Sequence, residues 1–289
     1  MSRWIGCFVI VSCGILTACG ARPAGQSTAA LPTTASAVSS PPPPAPPPPP
    51  MAHVRILHAS PEPAAASVTV QSDDASTPLA SSLVYRSAAG YFDAAPGEHT
   101  VNVGSSSGAS SGAPALITVH SPALEAGHYY TAVAFGMPTG RHPYALVFAA
   151  DDSSRPADGH ARVRFLHATA NEPAVDLCIA GATARAPGAP VFANVAFGSW
   201  GSAAAGQGSY AEVPSGAALS LQVRAHGEQP CVGRVRGTFN ISPAERAVLT
   251  LVSVGHAGRP PVAREIMVCD DAPSVTSTSA CQVVPVAEH

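Results

Sequence analysis

The sequence predicts an all-β protein, with two tandem antiparallel β-sandwiches, residues 52–150 and 161–289, after a leader and a disordered proline-rich linker. Three observations carry that expectation. Apolar residues alternate over short stretches, such as Val54-x-Ile56-x-His58, Val101-x-Val103 and Val133-x-Phe135, the period of a strand with one buried face. Turn residues separate these stretches: Pro61-Glu62-Pro63, Ser72-Asp73-Asp74, Pro96-Gly97, Ala126-Gly127 and Gly181-Ala182. No segment after the leader has the apolar spacing and caps of an amphipathic helix. Seven or eight such strands per unit make a sandwich.

The chain begins with Met1-Ser2-Arg3, an apolar run from Trp4 to Ile15, and Leu16-Thr17-Ala18-Cys19. A cationic start, an apolar core and small residues before a cut site are the requirements of an export signal. The run is shorter than the roughly 20 residues needed to span a bilayer. Leu16-Thr17-Ala18-Cys19 resembles the bacterial lipobox, which implies cleavage after residue 18 and a membrane anchor through acylated Cys19. Residues 1–18 are then the signal peptide and 19–51 a lipid-anchored Ser/Thr/Pro-rich linker. Gly20 is not the Asp that retains such proteins at the inner membrane, so the expected location is the cell envelope, at the outer membrane where there is one. The Pro41–Pro50 run favours polyproline II, a spacer of about 30 Å.

Beyond Met51 the chain repeats. His53-Val54-Arg55-Ile56-Leu57-His58-Ala59-Ser60 is echoed by Arg162-Val163-Arg164-Phe165-Leu166-His167-Ala168-Thr169, with Val163 lying 109 positions after Val54. Gly90-Tyr91-Phe92 answers Gly208-Ser209-Tyr210, and Tyr130–Gly136 answers Val248–Gly255. A unit of this length seen twice reads as two domains rather than a solenoid. Asp151–Gly159 reads as the linker between them, and its few apolar residues predict that the two units unfold separately.

Composition narrows the function classes. The chain has 289 residues, formal net charge −3, 46% hydrophobic residues and 6% aromatics. Its 15 basic residues are all arginine and form no basic stripe, so no nucleic-acid partner is expected. Of the seven cysteines, Cys7 and Cys13 fall in the leader and Cys19 takes the lipid. Cys178, Cys231, Cys269 and Cys281 remain, in a chain expected to reach an oxidising compartment. A zinc site would show closely spaced C-x-x-C pairs, which are absent, so no metal is expected. Four cysteines pair in three ways. Cys178 lies on the predicted second strand of the second unit and Cys231 where a later hairpin returns. Cys269 and Cys281 flank a loop, so the pairs expected are Cys178–Cys231 and Cys269–Cys281.

The paired Val-Arg-(Ile/Phe)-Leu-His-Ala-(Ser/Thr) opening, the aromatic segment, the Pro/Gly turn and the closing β-branched strand resemble the DUF4397 family over residues 52–150 and 161–270. That resemblance implies exported, immunoglobulin-like β-sandwich domains, often in tandem, with no catalytic residues or cofactors to carry over.

Several residues are weighed as sites. Gly104-Ser105-Ser106-Ser107-Gly108 matches G-x-S-x-G, but Ala109–Pro114 cannot open the helix that a nucleophile elbow needs, so a loop is expected. His58 and His167 recur at the end of each unit's first strand and are expected to bond the loop holding Ser60 or Thr169. Asp73-Asp74, Asp151-Asp152 and Asp270-Asp271 lack the spacing of a calcium loop and read as solvated turns. Trp200 and Tyr210, with Phe197, are the candidate ligand-binding platform for a glycan or an envelope protein. The expectation is a non-catalytic binding or structural module, with a convergent envelope hydrolase as the alternative.

Overall fold

The computed structural model describes residues 49–62, 65–72, 75–106, 115–137, 141–152, 154–181, 183, 186, 188–203, 206–207, 210–258, 263–271 and 281–288. The leader, Cys19 and the linker up to residue 48 lie outside the described residues, as do Asp73-Asp74 and residues 107–114.

The first half contributes β1 (Ala52–His58), β2 (Ala65–Ser72), β3 (Ala75–Val84), β4 (Ser87–Ala88), β5 (Phe92–Ala94), β6 (Thr100–Ser105), β7 (Ile117–His120), β8 (Tyr129–Phe135) and β9 (Ala145–Asp151). The second half contributes β10 (His160–His167), β11 (Val175–Ile179), β12 (Ala189–Val195), β13 (Ser202–Ala203), β14 (Gly206–Gln207), β15 (Ala211–Pro214), β16 (Leu219–Ala225), β17 (Val235–Ile241), β18 (Val248–Val254), β19 (Glu265–Asp270), β20 (Cys281–Pro285) and β21 (Ala287–Glu288). The protein is all-β, as expected.

Each half is a two-sheet sandwich. In the first, β3-β2-β6-β7 faces β4-β1-β8-β9, with β5 also on β1. Ile56, Val68, Leu83, Val101, Val103, Ala132 and Leu146 fill the space between. In the second, β12-β11-β16-β17-β21 faces β15-β10-β18-β19-β20 around Val163, Phe165, Leu177, Phe192, Leu221, Phe239 and Leu251.

One expectation is corrected: the sheets are not purely antiparallel. β1 pairs with β8 in parallel, Arg55 opposite Thr131, and β10 pairs with β18 in parallel, Arg164 opposite Thr250. Parallel neighbours need a long crossover. Here the chain makes one by building the outer sheet before it returns.

A second expectation fails more instructively. The halves are not separate beads, and residues 48–289 form one compact unit. The sheet carrying β1 and β8 packs against the sheet carrying β10 and β18, giving four layers. Leu57, Ala59, Val133 and Phe135 of the first half meet Leu166, Ala168, Trp200, Val252, Val254, Met267 and Cys269 of the second in a single apolar cluster. The central strands of the two inner sheets are therefore buried on both faces, and strands so placed read as continuous apolar runs rather than alternating ones. Every residue of β18, Val248–Val254, is buried, and so is all of β8 after Tyr129. The stretch from Asp152 to Gly159 is likewise docked. Asp152 pairs with Arg162 at 2.7 Å, the amide of Ala157 donates to Glu212 at 3.2 Å, and Pro156 is buried.

Candidate functional site

Two charged residues stand in the middle of that apolar contact. Along β1, Val54, Ile56 and His58 turn toward the first sandwich core, so Arg55 and Leu57 must face the other way. Arg164 and Leu166 on β10 do the same. Both guanidinium groups are fully buried, at 0% exposure.

Their partners repeat as the strands do. Arg55 Nε donates to Thr131 Oγ1 at 2.8 Å, and Arg164 Nε to Thr250 Oγ1 at 2.7 Å. Arg55 Nη1 crosses to the carbonyl of Asp270 at 2.7 Å, and Arg164 Nη1 to the carbonyl of Ala150 at 3.0 Å. Arg55 Nη2 pairs with Asp271, and Arg164 Nη2 with Asp151. Thr131 donates to Asp151 at 2.7 Å and Thr250 to Asp271 at 2.8 Å. Tyr91 OH donates to Asp151 and Tyr210 OH to Asp271, both at 2.6 Å. The Arg55 guanidinium lies 5.1 Å from the Tyr91 ring centre, and that of Arg164 lies 4.9 Å from Tyr210. Each half thus supplies Arg, Thr, Asp and Tyr, and each arginine reaches across to the other half's aspartate.

Burial works against both guanidinium charges, but Asp271 and Asp151 outweigh it and raise the arginine pKa values further, so both stay protonated. Burial, chiefly, pushes the Tyr91 and Tyr210 phenols well above their ordinary value, so both remain O–H donors at neutral pH. Every arm of the cluster is engaged within the protein, which makes it a clamp.

Asp151 and Asp271, read from the sequence as members of solvated turns, have side chains only 3% and 1% exposed. The signal was an arginine set between two buried apolar residues, Val54 and Ile56 or Val163 and Phe165, at the same position in both repeats. The structure also moves the repeat alignment by one residue. Phe92 sits opposite Val54 and Ala211 opposite Val163, so Tyr91 corresponds to Tyr210.

The candidate platform is not an exposed one. Trp200 and Tyr210 are 7% and 6% exposed, and their rings sit about Arg164 at 5.0 and 4.9 Å. Phe197 packs edge-on against Phe135 of the first half at 5.4 Å. All three rings are therefore committed to the contact between halves.

His167 is buried, with Nδ1 3.1 Å from Ser253 Oγ and Nε2 3.2 Å from the carbonyl of Pro173, in the loop that holds Thr169. Burial lowers its pKa to about 4. His58 is buried edge-on against Tyr85, and Ser60 Oγ in the following loop donates to the carbonyl of Gly136 at 2.6 Å. Within the G-x-S-x-G match, Ser106 Oγ donates to the carbonyl of Ala65 at 3.2 Å, while Ser107 and Gly108 lie outside the described residues.

Cys178 is bonded to Cys231 and Cys269 to Cys281, the pairs drawn from the sequence. Asp176, fully buried beside Cys178, accepts from the amides of Asn194 at 2.8 Å and Cys231 at 2.9 Å, and from His226 Nδ1 at 2.8 Å. Asn194, at a bulge within β12, and Cys231, in a turn, both have positive φ, 53° and 63°, and this carboxylate holds both backbone kinks in place. Among the described residues no group of three His, Cys, Asp or Glu side chains is arranged to hold a metal ion.

Among the described residues, an open groove of about 520 Å³ lies at the side of the second sandwich, where the ends of β17 and β20 leave the two sheets apart. Ile241, Leu249, Val268 and Val284 line it together with Asn240, Ser242, Asp270 and Gln282. Its size falls within the range of small-ligand sites. Sequence reasoning missed it, because it is formed by the ends of strands far apart in the chain.

Residues 52–178 match the family described as "Domain of unknown function (DUF4397)". The DUF4397 match begins at the first residue of β1, runs through the first half and the docked connection, and ends on Cys178 in β11. It takes in the Val-Arg-x-Leu-His motif of both repeats, and with it both clamp arginines. No curated protein sequence matches the chain. Among solved structures, one described as "Alpha-glucan binding by a streptococcal virulence factor" is similar over 68% of this chain and 92% of its own, with 13% identity and a TM-score of 0.22. So loose a likeness carries no argument.

Proposed function

We propose that the protein is a lipid-anchored module of the bacterial cell envelope, held through Cys19, that binds or builds rather than catalyses. The observation that carries this reading is the use made of its chemically capable side chains. The buried arginines, aspartates and tyrosines are saturated by one another inside a sealed contact. Catalysis asks for such groups to converge on a site that substrate can reach. The two disulfides support an oxidising compartment. The proline run would hold the body clear of the membrane, and the absence of Asp after Cys19 favours the outer membrane.

The groove beside β17 and β20 is the surface offered to a ligand, an envelope glycan or a segment of an envelope protein. Its apolar floor and its amide, hydroxyl and carboxyl groups suit a ligand with both apolar and hydrogen-bonding parts. Binding of the full chain to isolated peptidoglycan and to a glycan array, beside an Ala247→Trp variant that fills the groove, tests the reading. Retention by one of these materials, weakened at least about ten-fold by the substitution, is expected. Release of soluble fragments from the material would replace the binding reading with an enzymatic one. Equal binding by both proteins would move the ligand elsewhere on the surface.

A further inference from the structure

The contact between the halves has the logic of a two-fold dimer. In such an interface residue i meets residue j and j meets i. Arg55 reaches the carbonyl and carboxylate at the end of the second half's β19, and Arg164 reaches those at the end of the first half's β9. The Thr131–Asp151 and Tyr91–Asp151 bonds recur as Thr250–Asp271 and Tyr210–Asp271. The first half therefore carries both sides of the exchange, an arginine to give and an Asp151 with its adjoining carbonyl to receive one. We infer that this face of the first half is self-complementary and accepts a second copy of itself, through Arg55 of each copy on Asp151 of the other.

The surrounding apolar residues set the order of preference. Trp200 stands opposite Leu166 where Ala88 stands opposite Leu57 in the first half. Two first halves thus meet with small residues at that place and do not crowd each other. They also lose the packing that Trp200 supplies, so the pairing of unlike halves is the tighter one. In the intact chain the second half is tethered beside the first at a high effective concentration, which keeps the face covered. The partner that fits is a second copy of the first half, which carries the same Arg55, Thr131, Asp151 and Tyr91.

The test starts from the folded full chain with a protease site inserted between Ser154 and Arg155, on the docked connection. After cutting, the halves are parted in urea by a tag on the second half, and the first half is returned to buffer. Native mass spectrometry and sedimentation should find a dimer of first halves. Arg55→Leu should weaken it by about a hundred-fold or more, the scale for truncating one member of a buried charge pair. The exchanged variant Arg55→Asp with Asp151→Arg should pair with itself and not with the unaltered half. A first half that stays monomeric or unfolded at micromolar concentration overturns the inference. So does a dimer indifferent to Arg55.

Discussion

Asp271→Asn is the sharpest probe of the clamp. The substitution keeps the shape of the side chain and removes its charge. In the native protein Asp271 accepts from Arg55, Thr250 and Tyr210, and lies 3.7 Å from Arg164 Nη2. With asparagine there, two fully buried guanidinium groups share one carboxylate, Asp151. Losing one member of a buried ion pair costs about 3–5 kcal/mol, because the survivor's desolvation is no longer offset. Domains of ordinary stability have roughly 5–15 kcal/mol in all. Urea unfolding of the full chain at pH 7 should show a single transition whose midpoint falls steeply in Asp271→Asn, with unchanged slope. Asp271→Leu combined with Arg55→Leu should recover much of the loss, since a well-packed apolar pair can equal or exceed a buried ionic one. A loss under about 1 kcal/mol would mean that water reaches the cluster, which the burial does not allow. Two transitions, only one of which moves, would mean that the halves are energetically separate and that the shared core does not couple them.

The remaining predictions concern pH, the disulfides and the anchor. The depressed pKa of His167 makes its neutral form the native one, so its contribution is complete above the unfolded value near 6.5 and is lost as pH falls through about 4. That shift is worth about 3 kcal/mol, and urea midpoints between pH 7 and pH 4 should fall less in His167→Gln than in the unaltered chain. Chain entropy gives about 4 kcal/mol for the Cys178–Cys231 loop and about 3 kcal/mol for the Cys269–Cys281 loop. Because the halves share a core, calorimetry with reductant should move the whole transition; a component of constant midpoint would contradict the coupling. Mass spectrometry of the mature N-terminus should find lipid on Cys19, and an intact leader would remove the membrane anchor from the proposed function.

The sandwiches were legible in the sequence because each outer strand has one wet face and one dry face, and alternation records that difference. Val101-x-Val103 read correctly for this reason. The contact between halves was legible only in the places where alternation fails. Val248–Val254 and Tyr130–Phe135 are apolar on both faces, which a single sandwich cannot explain, since its inner sheet would have an outer face in water. The arginine within each first strand carries the same message. A charge at a position that the strand period turns away from one core is cheap if that face is wet. It demands carboxylate partners if the face is covered, and two Asp-Asp pairs at the ends of β9 and β19 were there to supply them. The groove had no such signal. Its walls come from strand ends and a turn, where neither period nor motif constrains the side chains, so only the folded arrangement brings Asn240, Ser242 and Gln282 to one place. On the proposed function, stability and recognition fall on different parts of the second half. The face that carries the clamp is closed by its own charges, whereas the groove proposed to meet a ligand lies at the edge where the two sheets part.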